Sequence, residues 1–138
     1  MSKYRNKKVE LDGHVFDSKA ERDYYEGLKI RQAAGEIQGF ELQPVFELQP
    51  AFKKNGKAFK KITYKADFMV YLPGGEVEVI DIKGLATETF KVKMKLFEYK
   101  YPHLHLTLLK HVQKYGGFIG LDEYNKIKRE EKKQKQAN

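Results

Sequence analysis

Two short apolar runs, residues 68–72 and 77–82, flank Pro73-Gly74-Gly75. A β-rich run, a tight glycine turn and a second β-rich run leave a chain little alternative to an antiparallel hairpin. Side chains alternate faces along a strand, so Val77, Val79, Asp81 and Lys83 share one face, acid and lysine extending an apolar row. Asp67 stands at the entrance to the first strand. Charged groups on an apolar hairpin are costly to bury without partners. Asp67, Asp81 and Lys83 are therefore the first residues to weigh for chemistry.

The flanking sequence supplies the rest of a sheet and its covering helices. Residues 1–16 read as an arm with a short strand. Asp17-Ser18-Lys19-Ala20-Glu21 opens a helix, Ser18 and Glu21 having capping-box spacing. Its apolar stripe is Ala20, Tyr24, Tyr25 and Leu28, and Gly35 stops it. Strand-like runs at 37–42 and 45–52 surround Pro44 and Pro50. The tetrapeptide Glu-Leu-Gln-Pro occurs at 41–44 and 47–50, too few copies for a repeat architecture. Asn55-Gly56 is a hairpin turn signal inside a basic tip of Lys53, Lys54, Lys57, Lys60 and Lys61. A strand through Ile62 and Tyr64 is expected to run into Asp67 and to end before Pro73. From about 87 to 101 the period becomes helical, with Phe90, Met94, Phe97 and Tyr101 on one face and Pro102 as terminator. Leu104, Leu106 and Leu108 alternate as a further strand, Gly116-Gly117 marks a turn, and residues 122–138 read as a short helix fraying into a charged tail. The expectation is an α/β (α+β) chain, a mixed sheet flanked by helices, with one domain over 1–125 and a basic tail over 126–138.

The chain of 138 residues is long enough for a substantial core. It contains no cysteine, which excludes disulfides, cysteine-ligated zinc and a thiol nucleophile. No apolar run follows the charged start, and none approaches bilayer length, so a cytoplasmic protein without membrane association is expected. The net charge is +8. In the tail, six basic residues against Glu130 and Glu131 leave +4, so the body carries the remaining +4. A polyanionic partner, nucleic acid ahead of a membrane surface, is the functional reading, and ordinary solubilising lysine is the plain one. The absence of a P-loop or dinucleotide fingerprint predicts no nucleotide cofactor.

Two strand carboxylates and a lysine suit metal-dependent phosphodiester cleavage. Magnesium takes oxygen ligands and keeps several waters, so Asp67, Asp81 and the backbone carbonyl of Ile82 are a sufficient protein contribution. Mn2+ would substitute for Mg2+. Lys83, two residues beyond Asp81, would stand beside the attacked phosphate or orient the water. Glu21 has two readings, a metal ligand or the closure of a capping box worth about 0.5–2 kcal/mol. Asp67 could instead be a salt-bridged acid paired with Lys83, and Asp81 with Lys83 a solvated strand face.

The segment 64–84 resembles the core of the PD-(D/E)xK nuclease superfamily, in which a strand-borne Asp precedes a second strand carrying acid-x-Lys. The order helix with Glu, hairpin, Asp, hairpin, Asp-x-Lys, helix, strand is similar to that restriction-endonuclease-like fold over roughly residues 15–110. The nearest likeness is to small phage and prophage members, similar to Holliday-junction-resolvase-like and transposon-end endonucleases. Ala66 stands where the motif has Pro, a backbone preference that supplies no ligand, and Asp81 stands where Glu is more frequent. The resemblance implies Asp67, Asp81 and Lys83 as the catalytic core and adds Glu21. It also implies DNA as substrate, with branched DNA among the candidates, and a bacterial host cell as the setting of a phage or prophage gene.

The lysines of the hairpin tip, with Lys91, Lys93 and Lys95 on the second helix, are candidates for phosphate contacts that position DNA without reading sequence. Gln43 is a weak candidate for a hydrogen bond near the metal, an edge-strand role being the alternative. His103, His105 and His111 lack a matching acid at metal-ligand spacing. One site cuts one strand, so a homodimer is expected for a symmetric junction or for both strands of a duplex. The alternative from another class is a non-catalytic basic module, which would keep a steeply salt-dependent affinity in chelator.

Overall fold

A computed structural model describes residues 7–115 and 117–137. The start of the expected arm and Gly116 of the expected turn lie outside them. A five-stranded mixed sheet organises the molecule, in the order β11 (Gly117–Gly120), β10 (His105–Val112), β9 (Val77–Ile82), β8 (Phe68–Tyr71), β3 (Gly39–Leu42). Only β9 and β10 run parallel among these neighbours, with Asp81 opposite Leu108 and Ile82 opposite Leu109. The crossover between them is α2 (Glu88–Lys100), as a parallel pair requires. The expected α+β architecture is what the chain adopts.

The motif hairpin forms as its sequence dictates. In the β8–β9 pair, Phe68 faces Ile80 and Tyr71 faces Val77. Gly74 and Gly75 turn the chain with φ of +94° and +93°, values that L side chains rarely adopt. The period of two then sorts the two cores. Phe68, Val70 and Ile80 face one side, packing with Phe16, Tyr25, Leu28 and Ile37. Val79 faces the other, packing with Phe46, Tyr64, Ala66, Phe90 and Phe97.

The first face is covered by α1 (Lys19–Ala33) and the hairpin of β1 (Val9–Leu11) and β2 (His14–Phe16). That hairpin corrects the expectation of an arm: Asp12-Gly13 supplies two residues with positive φ, +54° and +79°, in a two-residue turn. The second face is covered by α2 and the pair β4 (Val45–Gln49) and β7 (Ile62–Lys65). Thr87 caps α2, its Oγ1 accepting the Phe90 N–H at 3.1 Å. Beyond β4 and β7 the chain makes the hairpin β5 (Phe52–Lys54) and β6 (Lys57–Phe59), turned at Asn55-Gly56 with φ of +53° and +74°.

Two further expectations need correction. The strand expected from Ile62 through Asp67 is two strands, since β7 pairs with β4 while β8 belongs to the central sheet. The break falls at Ala66 and Asp67, whose N–H groups bond to Pro44 O at 3.0 Å and Ile80 O at 3.1 Å. The chain thus changes partners there. The expected fraying tail is helical: α3 (Leu121–Ala137) runs without interruption across the anticipated boundary at 125. Lys, Glu, Gln and Ala are good helix formers, and Lys128 with Glu131 adds an i,i+3 pair at 3.5 Å.

Candidate active site

Asp81 lies within β9, between β8 and β10, and is 1% exposed. A carboxylate so placed must be partnered. Its Oδ2 accepts the hydroxyl of Tyr64, from β7, and its Oδ1 stands 3.4 Å from Lys83 Nζ. Burial and the neighbouring carboxylate push the Tyr64 hydroxyl pKa upward, so Tyr64 stays a donor and holds Asp81 in one orientation. Lys83 emerges at the end of β9, where its N–H bonds to Leu109 O at 2.8 Å. Its ammonium lies 4.4 Å from the centre of the Phe90 ring, a cation–π contact that steadies it over α2.

Asp67 stands in the break between β7 and β8. Its Oδ2 accepts the Ile82 N–H at 2.7 Å, and its own carbonyl accepts the Gln43 N–H at 2.8 Å. N–H and C=O of a strand residue leave by the same edge, so the Ile82 carbonyl is directed to the edge where Asp67 sits.

Glu21 comes from the first turn of α1. Ser18 Oγ accepts the Glu21 N–H at 3.2 Å, so the cap is present. The carboxylate is nonetheless buried, on the same helical face as Tyr25 and Leu28. Asp17 and Asp67 are the neighbours that, with burial and Asp81, set its protonation. Only the Ser18 half of the capping box is formed: among the described residues the Ser18 N–H has no hydrogen bond to the Glu21 carboxylate, which lies instead beside Asp67.

Three neighbouring carboxyl groups, Glu21 and Asp81 buried and Asp67 half-buried, repel one another. Burial, then Asp81, then Glu21 raise the Asp67 pKa to about 9, against the Ile82 N–H, which lowers it. Glu21 is raised by burial first, then by Asp17, with a smaller contribution from Asp81. The cluster holds a proton where an isolated carboxylate would have released it. A divalent cation would relieve the same repulsion.

The donor set suits a hard cation: all oxygen, with the Asp81 carboxylate from β9, the Asp67 carboxylate from the break before β8, a backbone carbonyl and a helix carboxylate. Among the described residues no group of three or more His, Cys, Asp and Glu side chains stands in ready-made ligating geometry. Beside Asp67 and Asp81, Glu21, Ile82 and Lys83 line a cleft of about 380 Å³ together with Lys7, Ser18, Lys19, Gly84, Lys110 and His111. Lys110 anchors the rim by donating to Gly84 O at 2.9 Å.

The structure thus brings Glu21, Asp67, Asp81, Lys83 and Ile82 together and leaves other candidates elsewhere. The Gln43 side chain borders a separate small pocket with Gly13, His14 and Phe16. Its contribution is a backbone one, its φ of +51° allowing its amide to hold the Asp67 carbonyl. Lys91 pairs with Glu88 at 3.3 Å, and Lys91 and Lys95 border a groove between α2 and α3. Lys53, Lys54, Lys57, Lys60 and Lys61 are exposed on the β5–β6 hairpin and its exit. Tyr64, Lys19 and Lys110 are not among the sequence candidates. Lys110 reaches the cleft only through the parallel β9–β10 register, for which local sequence carries no signal.

Fold and site together define an α+β protein with a largely buried carboxylate cluster beside a lysine-lined cleft. The chain belongs to the family described as "Protein of unknown function (DUF1064)", which it matches over residues 1–117. That match includes every residue of the cluster and leaves α3 beyond it. No curated protein matches the chain. Among the described residues, no helix is long and apolar enough to cross a membrane.

Proposed function

We propose that this protein is a metal-dependent DNA endonuclease of the restriction-endonuclease-like, PD-(D/E)xK kind, encoded by a phage or prophage and acting in the bacterial host. The observation that carries the reading is Asp81, held by Tyr64, with Lys83 Nζ 3.4 Å away and Asp67 on the Ile82 N–H at 2.7 Å, beside a basic cleft lined by Glu21, Ile82 and Lys83. Asp67, Asp81 and the Ile82 carbonyl would hold Mg2+ or Mn2+, and Glu21 would complete the set or orient a water. When bound, the cation supplies Lewis acidity at the scissile phosphate and lowers the pKa of the attacking water. Tyr64 holds Asp81 in one orientation beside Lys83. Lys83 presents a positive charge where the pentavalent phosphate accumulates negative charge. Lys19 and Lys110 neutralise flanking phosphates and set the register of the DNA backbone.

The test is cleavage of labelled linear, flapped and four-way-junction DNA with Mg2+ or Mn2+, beside chelator and Asp81→Ala controls. Metal-dependent cutting that disappears in Asp81→Ala is expected. Retained, salt-sensitive binding without cutting of any substrate would replace the nuclease by a non-catalytic nucleic-acid-binding module.

A further inference from the structure

The β5–β6 hairpin has a composition that its own folding does not require. Every residue from 49 to 61 is exposed, and Phe52 and Phe59 belong to neither core. These two phenylalanines pair across the hairpin register with ring centres 4.7 Å apart and planes only 9° from parallel. They remain 42% and 38% exposed. In a near-parallel pair each ring covers one face of the other, and the exposed remainder of both rings is open to a partner. The same segment carries five lysines and no acid. Lys57 Nζ lies 5.3 Å from the centre of the Phe59 ring, so charge and ring are presented together. A cross-strand apolar pair alone would be equally served by β-branched residues. Exposed aromatic faces among lysines are instead the means by which proteins hold unpaired nucleotides, bases on the rings and phosphates on the cations.

We propose that this hairpin reads single-stranded character in DNA: Phe52 and Phe59 stack on unpaired bases while the lysines hold the adjoining phosphates. The choice of DNA rests on the nuclease reading, and the proposal deepens it by naming substrates that join duplex to unpaired strand. The hairpin is well connected for this purpose. From Phe59 the chain continues through Lys60 and Lys61 into β7, where Tyr64 donates to Asp81. Four residues separate Phe59 from Tyr64, a Cα span of at most about 18 Å over the five steps.

The test is fluorescence anisotropy in chelator, with a labelled blunt duplex and a flap of the same duplex carrying an unpaired arm. Wild type is expected to bind the flap about tenfold tighter or more, a stacked base being worth about that factor. The double variant Phe52→Leu, Phe59→Leu keeps an apolar cross-strand contact but removes the rings. It is expected to lose that preference while duplex affinity stays within about twofold, and Phe52→Tyr, Phe59→Tyr is expected to retain it. Equal wild-type affinities, no binding to either probe, an unchanged flap preference in the leucine variant, or an equal loss on both probes would overturn the proposal. Because no cutting is read, a flap preference in a protein that cleaves nothing would sink the nuclease and leave the hairpin's role intact. Cleavage without a flap preference would do the reverse.

Discussion

The carboxylate cluster and the β5–β6 hairpin are joined by one strand, β7, yet they are built on opposite principles. Around the cluster the chain is crowded. Asp81 has Tyr64 and Lys83, Asp67 has the Ile82 amide, and among the described residues no buried side-chain polar atom lacks a partner. The hairpin has neither burial nor core packing, and its two rings are held mainly by each other. A largely buried cluster of like charges is maintained against its own repulsion by the core around it, and it gains from any cation that enters. An exposed aromatic pair costs the fold little and is free to meet a partner. Changes at the first are therefore expected to act on chemistry and stability together, and changes at the second on recognition alone.

The largest separation is expected in catalysis. Asp81→Ala should lower the cleavage rate by about a thousandfold or more, the scale on which a single electrostatic contributor matters. The hairpin leucine variant should leave cutting of plain duplex within a few-fold. Equal losses in single-turnover assays would break the contrast. In stability, Phe97→Ala, at a position with no exposure, should cost about 3–5 kcal/mol by denaturant unfolding. Phe59→Ala, at an exposed position, should cost about 1 kcal/mol or less.

The pH dependence sharpens the account of the cluster. The folded chain keeps the Asp67 proton up to about pH 9, whereas an unfolded aspartate releases it near 3.8. Below the lower value both states are protonated and the contribution to folding is fully present. It is lost as pH rises towards the upper value, because the unfolded state then binds fewer protons. In chelator the melting temperature should therefore fall between pH 5 and 8. Mg2+ should restore more of it at pH 8 than at pH 5, and Asp67→Asn should flatten the slope. A metal-free melting temperature that rises across that window would contradict the carboxyl cluster.

Glu21→Gln keeps the shape and the Ser18 cap while removing one charge. Cleavage should drop about tenfold or more, with the chelator melting temperature held or raised. A lower melting temperature with full activity would return Glu21 to a purely structural role. The smallest effect is expected from Lys54→Ala with Lys57→Ala, which should weaken flap and duplex alike. The salt slope should fall by about one unit for each phosphate that is no longer neutralised.

How much of this is legible in the sequence differs between regions for physical reasons. Alternation along 77–83 is a local property, so the shared face of Val79, Asp81 and Lys83 can be read directly, as can the Gly74-Gly75 and Asn55-Gly56 turns. The Asp12-Gly13 turn carries the same kind of signal, but the strands beside it are only three residues each, too short to show an alternation. Glu21 also has a readable mark: with Tyr25 and Leu28 it follows the i, i+4, i+7 spacing of one helix face, which places a carboxylate among apolar neighbours.

Sequence by itself determined the β8–β9 hairpin and the two main helices, the Gly74-Gly75 and Asn55-Gly56 turns, the Ser18 cap, the faces of β9 and the identity of the acid-x-lysine pair, because each of these depends on neighbours within a few residues. Tertiary structure alone decided that Tyr64 would hold Asp81, that Glu21 would lie beside Asp67, that Lys110 would border the cleft and that the strand at Asp67 would break to serve two sheets. Those outcomes depend on which strand pairs with which and on how α1 lies across the sheet. Packing of residues distant in the chain sets such choices, and no local pattern of side chains encodes them.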